Sequence, residues 1–287
     1  MMSLRSIVAG YSRCFLITLA ISLAGDVRGA AKPIRVLLIT GGCCHDYEAQ
    51  KDILKKGLEA RANVIVDQVH TGDKSTQPPL AILGNADYAD GYDVVVHDEC
   101  GAGISDEDTV RAVLAPHLAG VPGVNLHCAM HSYRIGNPRD PVEPGTAHGL
   151  WFEYLGIQSS GHGPHEPVDV RFTEQSSPIT KGFVDWRTGN EELYNNVAIF
   201  PTAKALASGK QKFKRRNGEE REAEAVVVWT NTYGPNKTKV FSTTLGHYSA
   251  TVATDRYLDL VTRGLLWATG HLNADGEPAE GYGPSAR

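Results

Sequence analysis

The sequence lacks the short motifs that usually mark a metal site, a haem or a catalytic serine. Its 287 residues include 5 cysteines, but no two form a C-x-x-C pair and none belongs to a C-x-x-C-H motif. The sequence contains no H-E-x-x-H and no G-x-S-x-G either. These absences argue against covalently attached haem, the commonest zinc signature and the serine elbow of α/β-hydrolases. We expect neither haem nor a nucleotide cofactor.

The chain also has no long run of basic residues. Its formal net charge is −5, which argues against nucleic acid as the main partner. One local exception, the stretch 210–216 (KQKFKRR), is followed at once by Glu219, Glu220 and Glu222. Opposite charges so close together are typical of a solvated loop or hairpin, and we predict one here.

Only one long apolar run is present, from Cys14 to Ala24. Arg5 and Arg13 precede it, and small residues follow it up to Ala30, which is the order found in secretory signal peptides. The run is short for a bilayer span, although an uncleaved anchor is the alternative. We predict a signal peptide over residues 1–30, export to the periplasm and no other membrane span.

Removal of the signal peptide leaves four cysteines, namely Cys43, Cys44, Cys100 and Cys128. An exported protein with an even number of cysteines is a candidate for disulfide bonds. A ring closed between the neighbours Cys43 and Cys44 is strained, whereas a bridge from Cys100 to Cys128 is geometrically conceivable. Disulfide bonds, buried thiols and soft metal ligands are the three alternatives.

Short apolar runs alternate with helical spacing in the first half of the chain. Such runs are typical of parallel strands covered on both faces. The alternation predicts an α/β fold with a doubly wound, mostly parallel sheet of the flavodoxin-like type, and the second half reads as an elaboration of the same domain. We expect the Gly- and Pro-rich tail, 273–287, to be disordered. The predicted strands of the first half are 34–39, 63–69, 92–96 and 121–126, with helices at 47–60 and 105–114.

Three of these predicted strands end in histidine, cysteine and carboxylate side chains. The first runs into C-C-H-D (43–46), the third into H-D-E-C (97–100) and the fourth into H-C-A-M-H-S-Y-R (127–134). The carboxyl ends of parallel strands face the ligand crevice of an open α/β sheet. The sequence therefore predicts one shared site at this edge.

Further candidate residues lie in the second half of the chain. His162 and His165 form the motif G-H-G-P-H, and His247 follows a predicted strand. In the pair Glu191 and Glu192, one side chain is expected to point inward beside the histidines and the other to face solvent; two surface glutamates are the alternative. Imidazole is the commonest zinc ligand and acid–base group near neutral pH. A single histidine is more often structural, so the prediction depends on the group.

The turn after the fourth strand reads Asn-Leu-His-Cys-Ala, residues 125–129. His127 occupies the tip of this elbow, and Cys128 stands one place later. Cys128 as a nucleophile is therefore an alternative to its interpretation as a small buried side chain.

Six motifs follow one another in order: TGGCCHDYEAQ, VNLHCAMHSYR, GHGPH, EELY, TTLGHYSATV and LLWATGH. Together they resemble the ThuA-like family, named for trehalose utilisation, and predict such a domain over residues 31–272. The resemblance implies a variant of the class I glutamine amidotransferase fold, without its chemistry, because those enzymes place cysteine at the elbow. It also implies a role on sugars, including 3-keto-glycosides made by a partner dehydrogenase. The family's motif positions correspond to His45, His127, His131, His162, His165, Glu192 and His247.

We predict an exported enzyme that processes a carbohydrate derivative by elimination, hydrolysis or isomerisation. A keto group acidifies the neighbouring C–H, so a base of near-neutral pKa can remove that proton while a divalent metal, Zn or Mn, stabilises the oxyanion. The partner is a sugar-derived small molecule. The predicted metal ligands are His127, His162 and His247, the proton-transfer residues His131, His165 and Glu192, and the substrate-binding residues His45, Asp46, Arg134 and Tyr194.

Two other functions are compatible with the same sequence. The first is a non-catalytic sugar-binding or scaffold protein on this fold, in which Trp151, Tyr154 and Trp186 stack on sugar rings; the same aromatic spacing is equally typical of core packing. The second is a hydrolase that depends on Cys128.

Overall fold

The computed structural model describes residues 31–284, so the predicted signal peptide lies outside the described residues. Its centre is a nine-stranded sheet with the order β2-β1-β3-β4-β11-β10-β9-β6-β7, and β5 and β8 form a separate pair. The strands are β1 (Ile34–Gly42), β2 (Val64–Thr71), β3 (Val94–Cys100), β4 (Gly123–Leu126), β5 (Ile157–Gln158), β6 (His162–Phe172), β7 (Trp186–Tyr194), β8 (Ala198–Ile199), β9 (Lys204–Lys214), β10 (Glu220–Tyr233) and β11 (Thr238–Thr243).

The first half of the sheet is parallel. β1 pairs with β2 and β3, and β4 pairs with β3 and β11, all in the parallel direction. Because side chains alternate across a strand, Val36 and Leu38 enter the core on one face, and Leu37 and Ile39 enter the core on the other. Burial on both faces explains the continuous apolar runs, and the predicted doubly wound α/β fold is confirmed.

Helices cover both faces of the parallel half. α1 and α5 pack on one face, and α2 and α3 on the other. The predicted second helix is longer than expected, because Pro116 is accommodated inside it and it ends only at Gly120, whose φ is 114°. No helix among the described residues has both the length and the apolar character needed to cross a bilayer. The helices are α1 (Tyr47–Glu59), α2 (Glu107–Ala119), α3 (Leu150–Leu155), α4 (Ser249–Val252) and α5 (Asp255–Ala268).

The second half of the sheet is antiparallel, from β11 through β10, β9 and β6 to β7. This extension is the predicted elaboration of the domain. The basic stretch 210–216 forms the end of β9 and the start of its turn into β10. Lys210 pairs with Glu222 at 2.6 Å and Lys214 with Glu220 at 3.5 Å, so the predicted self-neutralising hairpin is confirmed.

The tail differs from the expectation of disorder over the part that the structure describes, 273–284. The Asn63 N–H donates to the Tyr282 carbonyl at 3.1 Å, and the Tyr282 ring stacks on His271 with ring centroids 3.6 Å apart. Leu272 and Pro278 form an isolated β-bridge. Composition indicated disorder, but one aromatic ring and a few backbone hydrogen bonds are enough to hold this short segment against the domain.

Candidate functional site

The turn after β4 positions the first histidine of the site. His127 has a φ of +42°, in the left-handed region, and begins a 3₁₀ turn that extends to His131. This is the sharp elbow expected from the sequence, with His127 at its tip. The His127 Nδ1–H donates to the Thr244 carbonyl at 2.6 Å. A neutral imidazole in this tautomer therefore carries its lone pair on Nε2.

A carboxylate from the opposite half of the sheet meets this histidine. Both oxygens of Glu192, on β7, are engaged by imidazoles. Oε2 lies 3.3 Å from His127 Nε2 and 3.3 Å from His247 Nδ1, and Oε1 lies 2.8 Å from His165 Nε2 and 3.3 Å from His162 Nδ1. The convergence of distant histidines predicted from the sequence is therefore present around one carboxylate.

The register of β6 and β7 explains how these side chains meet. His165 is paired with Glu192, and His162 with Tyr194. Glu191, one residue before, points to the other face, where its Oε2 accepts the backbone N–H groups of Gly246 at 3.2 Å and His247 at 3.0 Å. Glu191 was expected to be exposed if Glu192 pointed inward, but it is fully buried, because it fixes the loop that carries His247.

The acceptors at the centre of the site are packed unusually closely. His127 Nε2 and His247 Nδ1 are 3.3 Å apart, the same distance that separates each of them from Glu192 Oε2. The centre of such a triangle is about 1.9 Å from each corner, close to the zinc–nitrogen distance of about 2.0–2.1 Å. Two arrangements account for this close packing: either His127 and His247 carry protons and donate to Glu192, or a bound cation lies between the three atoms.

His45 completes a three-histidine group with His127 and His247, whose ligand nitrogens lie within 4.8 Å of one another. Its ring meets those of His127 and His247 edge-on, with centroids 4.6 and 4.7 Å away. Its Nδ1 is buried without a hydrogen-bond partner. Burial, together with the charges of its two histidine neighbours, lowers the pKa of His45 to about 2, so its ring is neutral and able to ligate a metal. This donor set fits a divalent ion, with His45 in the place predicted for His162.

Glu192 is ionised at neutral pH. Burial on its own raises the pKa of this carboxyl, but the hydrogen bonds and charges of His127 and His247 outweigh that effect and hold the pKa well below its usual range. The site therefore contains a fixed negative charge among imidazoles.

A pocket of about 600 Å³ opens above the three-histidine group. It reaches His45 and His247 from solvent, so the site is accessible to a small molecule. Asp46 and Lys74 add one negative and one positive side chain to its wall. The pocket is lined by Cys44, His45, Asp46, Lys74, His247, Tyr248, Ser249 and Ala250.

Several predicted site residues lie behind this centre rather than in it. His131 is buried, its Nε2 lies 2.9 Å from Ser159 Oγ, and it stacks on Tyr194 with ring centroids 4.1 Å apart. The Tyr194 hydroxyl in turn lies 3.3 Å from His127 Nε2.

Arg134 donates to the Ser159 carbonyl at 3.4 Å, and burial lowers its pKa to about 10. Asp46 lines the pocket, but its carboxylate also caps α1 through the Ala49 N–H at 3.3 Å. These contacts position the centre, and a direct role in substrate binding stays a prediction.

Two contacts were not predicted from the sequence. The Tyr248 hydroxyl, on an exposed side chain, lies 2.9 Å from His165 Nδ1. Gln50 of α1 donates from Nε2 to the Gly246 carbonyl at 3.1 Å, which fixes the loop before His247. The Tyr248 contact could have been suspected, because Tyr248 directly follows His247 in the sequence. The Gln50 contact could not, because nothing in the sequence distinguishes Gln50 from any other glutamine in a helix.

The structure argues against Cys128 as a nucleophile and against two of the three aromatic side chains predicted to stack on a sugar. Cys128 is 6% exposed and is bonded to Cys100, so it has no thiol to act as a nucleophile. Trp151 and Tyr154 are in the core with 1% and 0% exposure. They are therefore not available to stack on a sugar, and only Trp186 of the three predicted aromatics is partly exposed.

Several solved structures are similar to this chain. A putative ThuA-like protein from Bacteroides uniformis is 15% identical, with a TM-score of 0.54 over 84% of this chain and 96% of that one. A putative GMP synthase subunit from Thermoplasma acidophilum is 10% identical, with a TM-score of 0.45 over 83% of this chain and 94% of that one. The glutaminase domain of Trypanosoma brucei CTPS is also 10% identical, with a TM-score of 0.41 over 87% and 99%. No curated protein gives a significant match.

The family comparison covers most of the chain. The family model described as "ThuA: Trehalose utilisation" matches residues 35–268, from the second residue of β1 to the end of α5. This span includes all the histidines around Glu192, and the chain belongs to the ThuA family.

Proposed function

We propose that this protein is an exported, metal-dependent enzyme that acts on 3-keto-glycosides. The observation that carries the proposal is the triangle of His127 Nε2, His247 Nδ1 and Glu192 Oε2, with sides of 3.3 Å, beside an open pocket. The family supports the sugar class, since its model is described as trehalose utilisation. The sequence of residues 1–30 supports export.

The chain offers a divalent ion three imidazoles and one carboxylate oxygen. His45, His127 and His247 are the ligands we assign, and Glu192 Oε2 provides the compensating charge. A bound Zn²⁺ or Mn²⁺ supplies a Lewis acid that stabilises negative charge on a carbonyl oxygen. The hydrogen bond from His127 Nδ1 to the Thr244 carbonyl fixes the tautomer that this assignment needs.

Proton removal is assigned to His165. Its Nε2–H donates to Glu192 Oε1 at 2.8 Å, so Nδ1 is the atom that accepts a proton. The Tyr248 hydroxyl occupies Nδ1 at 2.9 Å, and a substrate displaces this hydrogen bond when it enters. Glu192 stabilises the imidazolium that forms, in the manner of a carboxylate that orients a catalytic histidine. The abstracted proton comes from the carbon next to the keto group, where the electron pair can delocalise.

Departure of the glycosidic oxygen needs an acid, which we assign to His162. Its side chain is 39% exposed, and its Nδ1–H is shared between the Gly163 carbonyl at 2.8 Å and Glu192 Oε1 at 3.3 Å. In the imidazolium form of His162 the second proton is on Nε2, and this atom delivers it to the leaving oxygen, which leaves the ring neutral. The predicted catalytic residue His131 lies behind Tyr194, so we assign it to positioning the aromatic ring and through it His127.

The experiment combines metal analysis with a turnover assay on a 3-keto-glucoside. The purified protein is expected to contain about one Zn²⁺ or Mn²⁺, to lose turnover after chelation and to recover it when the ion is restored. The variants His45→Ala and His247→Ala are expected to lose both metal and turnover, and His148→Ala, at an exposed histidine outside the site, to retain both. Unchanged turnover after verified metal removal contradicts the metal part of the proposal. Saturable sugar binding without any product contradicts the enzyme part.

A further inference from the structure

Four cysteines form a cluster that the proposed function does not use. Cys43 is bonded to Cys44, and Cys100 to Cys128. The two disulfide bonds are in contact, because Cys43 Sγ lies 3.5 Å from Cys100 Sγ. A third sulfur at this distance from a disulfide is placed for thiol–disulfide exchange.

The fold brings the sulfurs together through the ends of neighbouring strands. Gly42 is paired with Cys100 in the parallel register of β1 and β3. A Cβ at Gly42 would lie 2.3 Å from the Cys100 carbonyl oxygen, so only glycine allows the two strand ends to approach this closely. Cys128 follows His127 at the elbow, so the second bond joins the end of β3 to the same turn.

The two bonds differ in their access to solvent. Cys44 is exposed, whereas Cys100 and Cys128 are 2% and 6% exposed. An external thiol can therefore reach the first bond at Cys44, but the second bond is shielded from direct attack. Cys43, between them, contacts both the exposed sulfur and the buried one.

We propose that these cysteines are a thiol–disulfide exchange relay that passes two electrons from an external dithiol to the buried Cys100–Cys128 bond. This activity is additional to the proposed sugar chemistry and does not depend on it. The substrate class is a dithiol, either a small molecule or a pair of cysteines on another protein.

The steps balance in atoms and electrons. One thiolate of the external dithiol attacks Cys44 Sγ and releases Cys43, and its second sulfur then displaces Cys44, so the external dithiol leaves as a disulfide. The Cys43 thiolate attacks Cys100 Sγ, which breaks the bond to Cys128, and the Cys128 sulfur takes up a proton. Cys44 then attacks Cys43 and releases Cys100. The exposed bond is restored, and the buried pair is reduced to two thiols.

The variant Cys128→Ser tests the central step, because it leaves Cys100 as a free thiol against the intact Cys43–Cys44 bond. Attack of Cys100 on Cys43 releases Cys44. Iodoacetamide alkylates that exposed thiol irreversibly, so the reverse reaction is prevented and the exchange goes to completion. Trypsin separates Cys100 and Cys128 from each other and from the peptide that holds both Cys43 and Cys44, since Lys51 and Arg111 lie between them, and fragmentation of the shared peptide shows which of its two sulfurs is alkylated. The expected products are Cys44 alkylated to about one equivalent and a linked Cys43–Cys100 peptide pair.

The control variant Cys100→Ser lacks the sulfur that contacts Cys43, and its Cys44 is expected to remain unlabelled. An intact Cys43–Cys44 bond in folded Cys128→Ser after prolonged alkylation overturns the relay.

A second variant, Cys43→Ser/Cys44→Ser, keeps the natural buried bond and covers the case in which Cys128→Ser does not fold. Dithiothreitol is expected to reduce its Cys100–Cys128 bond at least about tenfold more slowly than in the unaltered protein. Equal rates of reduction in the two folded proteins contradict the proposal.

Discussion

Two glutamates of this protein each organise a group of histidines, and the two groups differ in access. The first is Glu99 on β3. Its Oε1 accepts the Tyr133 hydroxyl at 2.8 Å and lies 2.8 Å from His97 Nδ1. His97 Nε2 lies 3.1 Å from His117 Nε2, and the His117 Nδ1–H donates to the Val121 carbonyl at 2.8 Å. All four side chains of this group have 0% exposure.

The second group surrounds Glu192 and opens to a pocket. In the Glu99 group, the hydrogen bonds run in one direction and end on a backbone carbonyl, so each imidazole nitrogen has a partner. In the Glu192 group, two imidazole nitrogens and one carboxylate oxygen lie 3.3 Å from one another, and His45 Nδ1 has no partner. A histidine beside a carboxylate is therefore no sign of function by itself. Access from solvent and the unpartnered imidazole nitrogen of His45 distinguish the candidate site from the structural network.

The largest expected effect comes from removing the charge of Glu192. The isosteric variant Glu192→Gln keeps the size of the side chain but not the charge that polarises His165 and His162. Turnover on a 3-keto-glucoside is expected to fall by about 10²–10⁴-fold. The matched control is Glu166→Gln, on the same hairpin but exposed. Turnover within about twofold of the unaltered protein, in a folded variant, contradicts the assigned role.

The same kind of change in the buried group is expected to affect stability instead. Glu99→Ala removes the partner of His97 and Tyr133 inside the core. The free energy of unfolding in urea is expected to fall by about 1–3 kcal/mol, because buried polar groups lose their partner. Glu143→Ala, at an exposed loop position, is the control and is expected to change it by less than about 0.5 kcal/mol. A small loss for Glu99→Ala shows that the buried network is not structural.

The pH dependence of stability sharpens the comparison further. Burial, with a contribution from His97, lowers the pKa of His117 from 6.5 to about 3 in the folded protein. The unfolded chain takes up a proton at this residue below about pH 6.5 and the folded chain does not, so stability is fully present above that pH and is lost as the pH falls towards 3. His117→Gln is expected to reduce the loss between pH 6 and pH 5 by about 1 kcal/mol, measured by urea unfolding at each pH. His45, whose pKa is lowered in the same direction, is retained in both proteins and cancels from the comparison. Parallel pH profiles for the two proteins contradict this assignment.

The smallest expected effect is that of Tyr248→Phe. The variant removes the hydroxyl on His165 Nδ1 and leaves the ring in place. A single hydrogen bond of this kind is worth about 0.5–1.5 kcal/mol, so turnover is expected to change by about twofold to twelvefold. A loss comparable with that of Glu192→Gln indicates instead that the hydroxyl itself transfers a proton.

The parallel half of the fold could be predicted because its strands are buried on both faces. A run such as that from Ile34 to Ile39 has few other interpretations, and its helical neighbours have clear spacing. The antiparallel half was harder. β6 begins at His162, but the alternation of apolar and polar residues that is typical of a half-buried strand is visible in the sequence only over 168–172, so the G-H-G-P-H motif at its start cannot be recognised as part of a strand. β9 is also difficult to recognise as a separate strand. Its charged residues are typical of a solvated loop, and only the folded hairpin shows that they pair with opposite charges on β10.

The structure brings the predicted histidines together, whereas the roles assigned to them stay predictions. The ends of the predicted strands and the G-H-G-P-H motif predict that His127, His162, His165 and His247 share one site. In the structure all four surround Glu192. The inward position of His45 depends instead on a backbone that turns through Gly41, Gly42 and Cys44, all with positive φ. No local pattern specifies such a turn, and so the sequence could not distinguish a residue of the three-histidine group from one that contacts substrate.

The carboxylate of the site belongs to β7, which is the last strand at one edge of the sheet. His162 and His165 arrive on its only neighbour, β6, whereas His45, His127 and His247 sit on loops anchored in the parallel half. The site is thus formed by two different parts of the backbone, the β6–β7 hairpin and the loops of the parallel half. Local unfolding of the hairpin would remove His162, His165 and Glu192 from the site together. The proposed catalysis therefore depends on the order of the edge hairpin, and slowed amide hydrogen exchange in β7 on ligand binding would report that dependence directly.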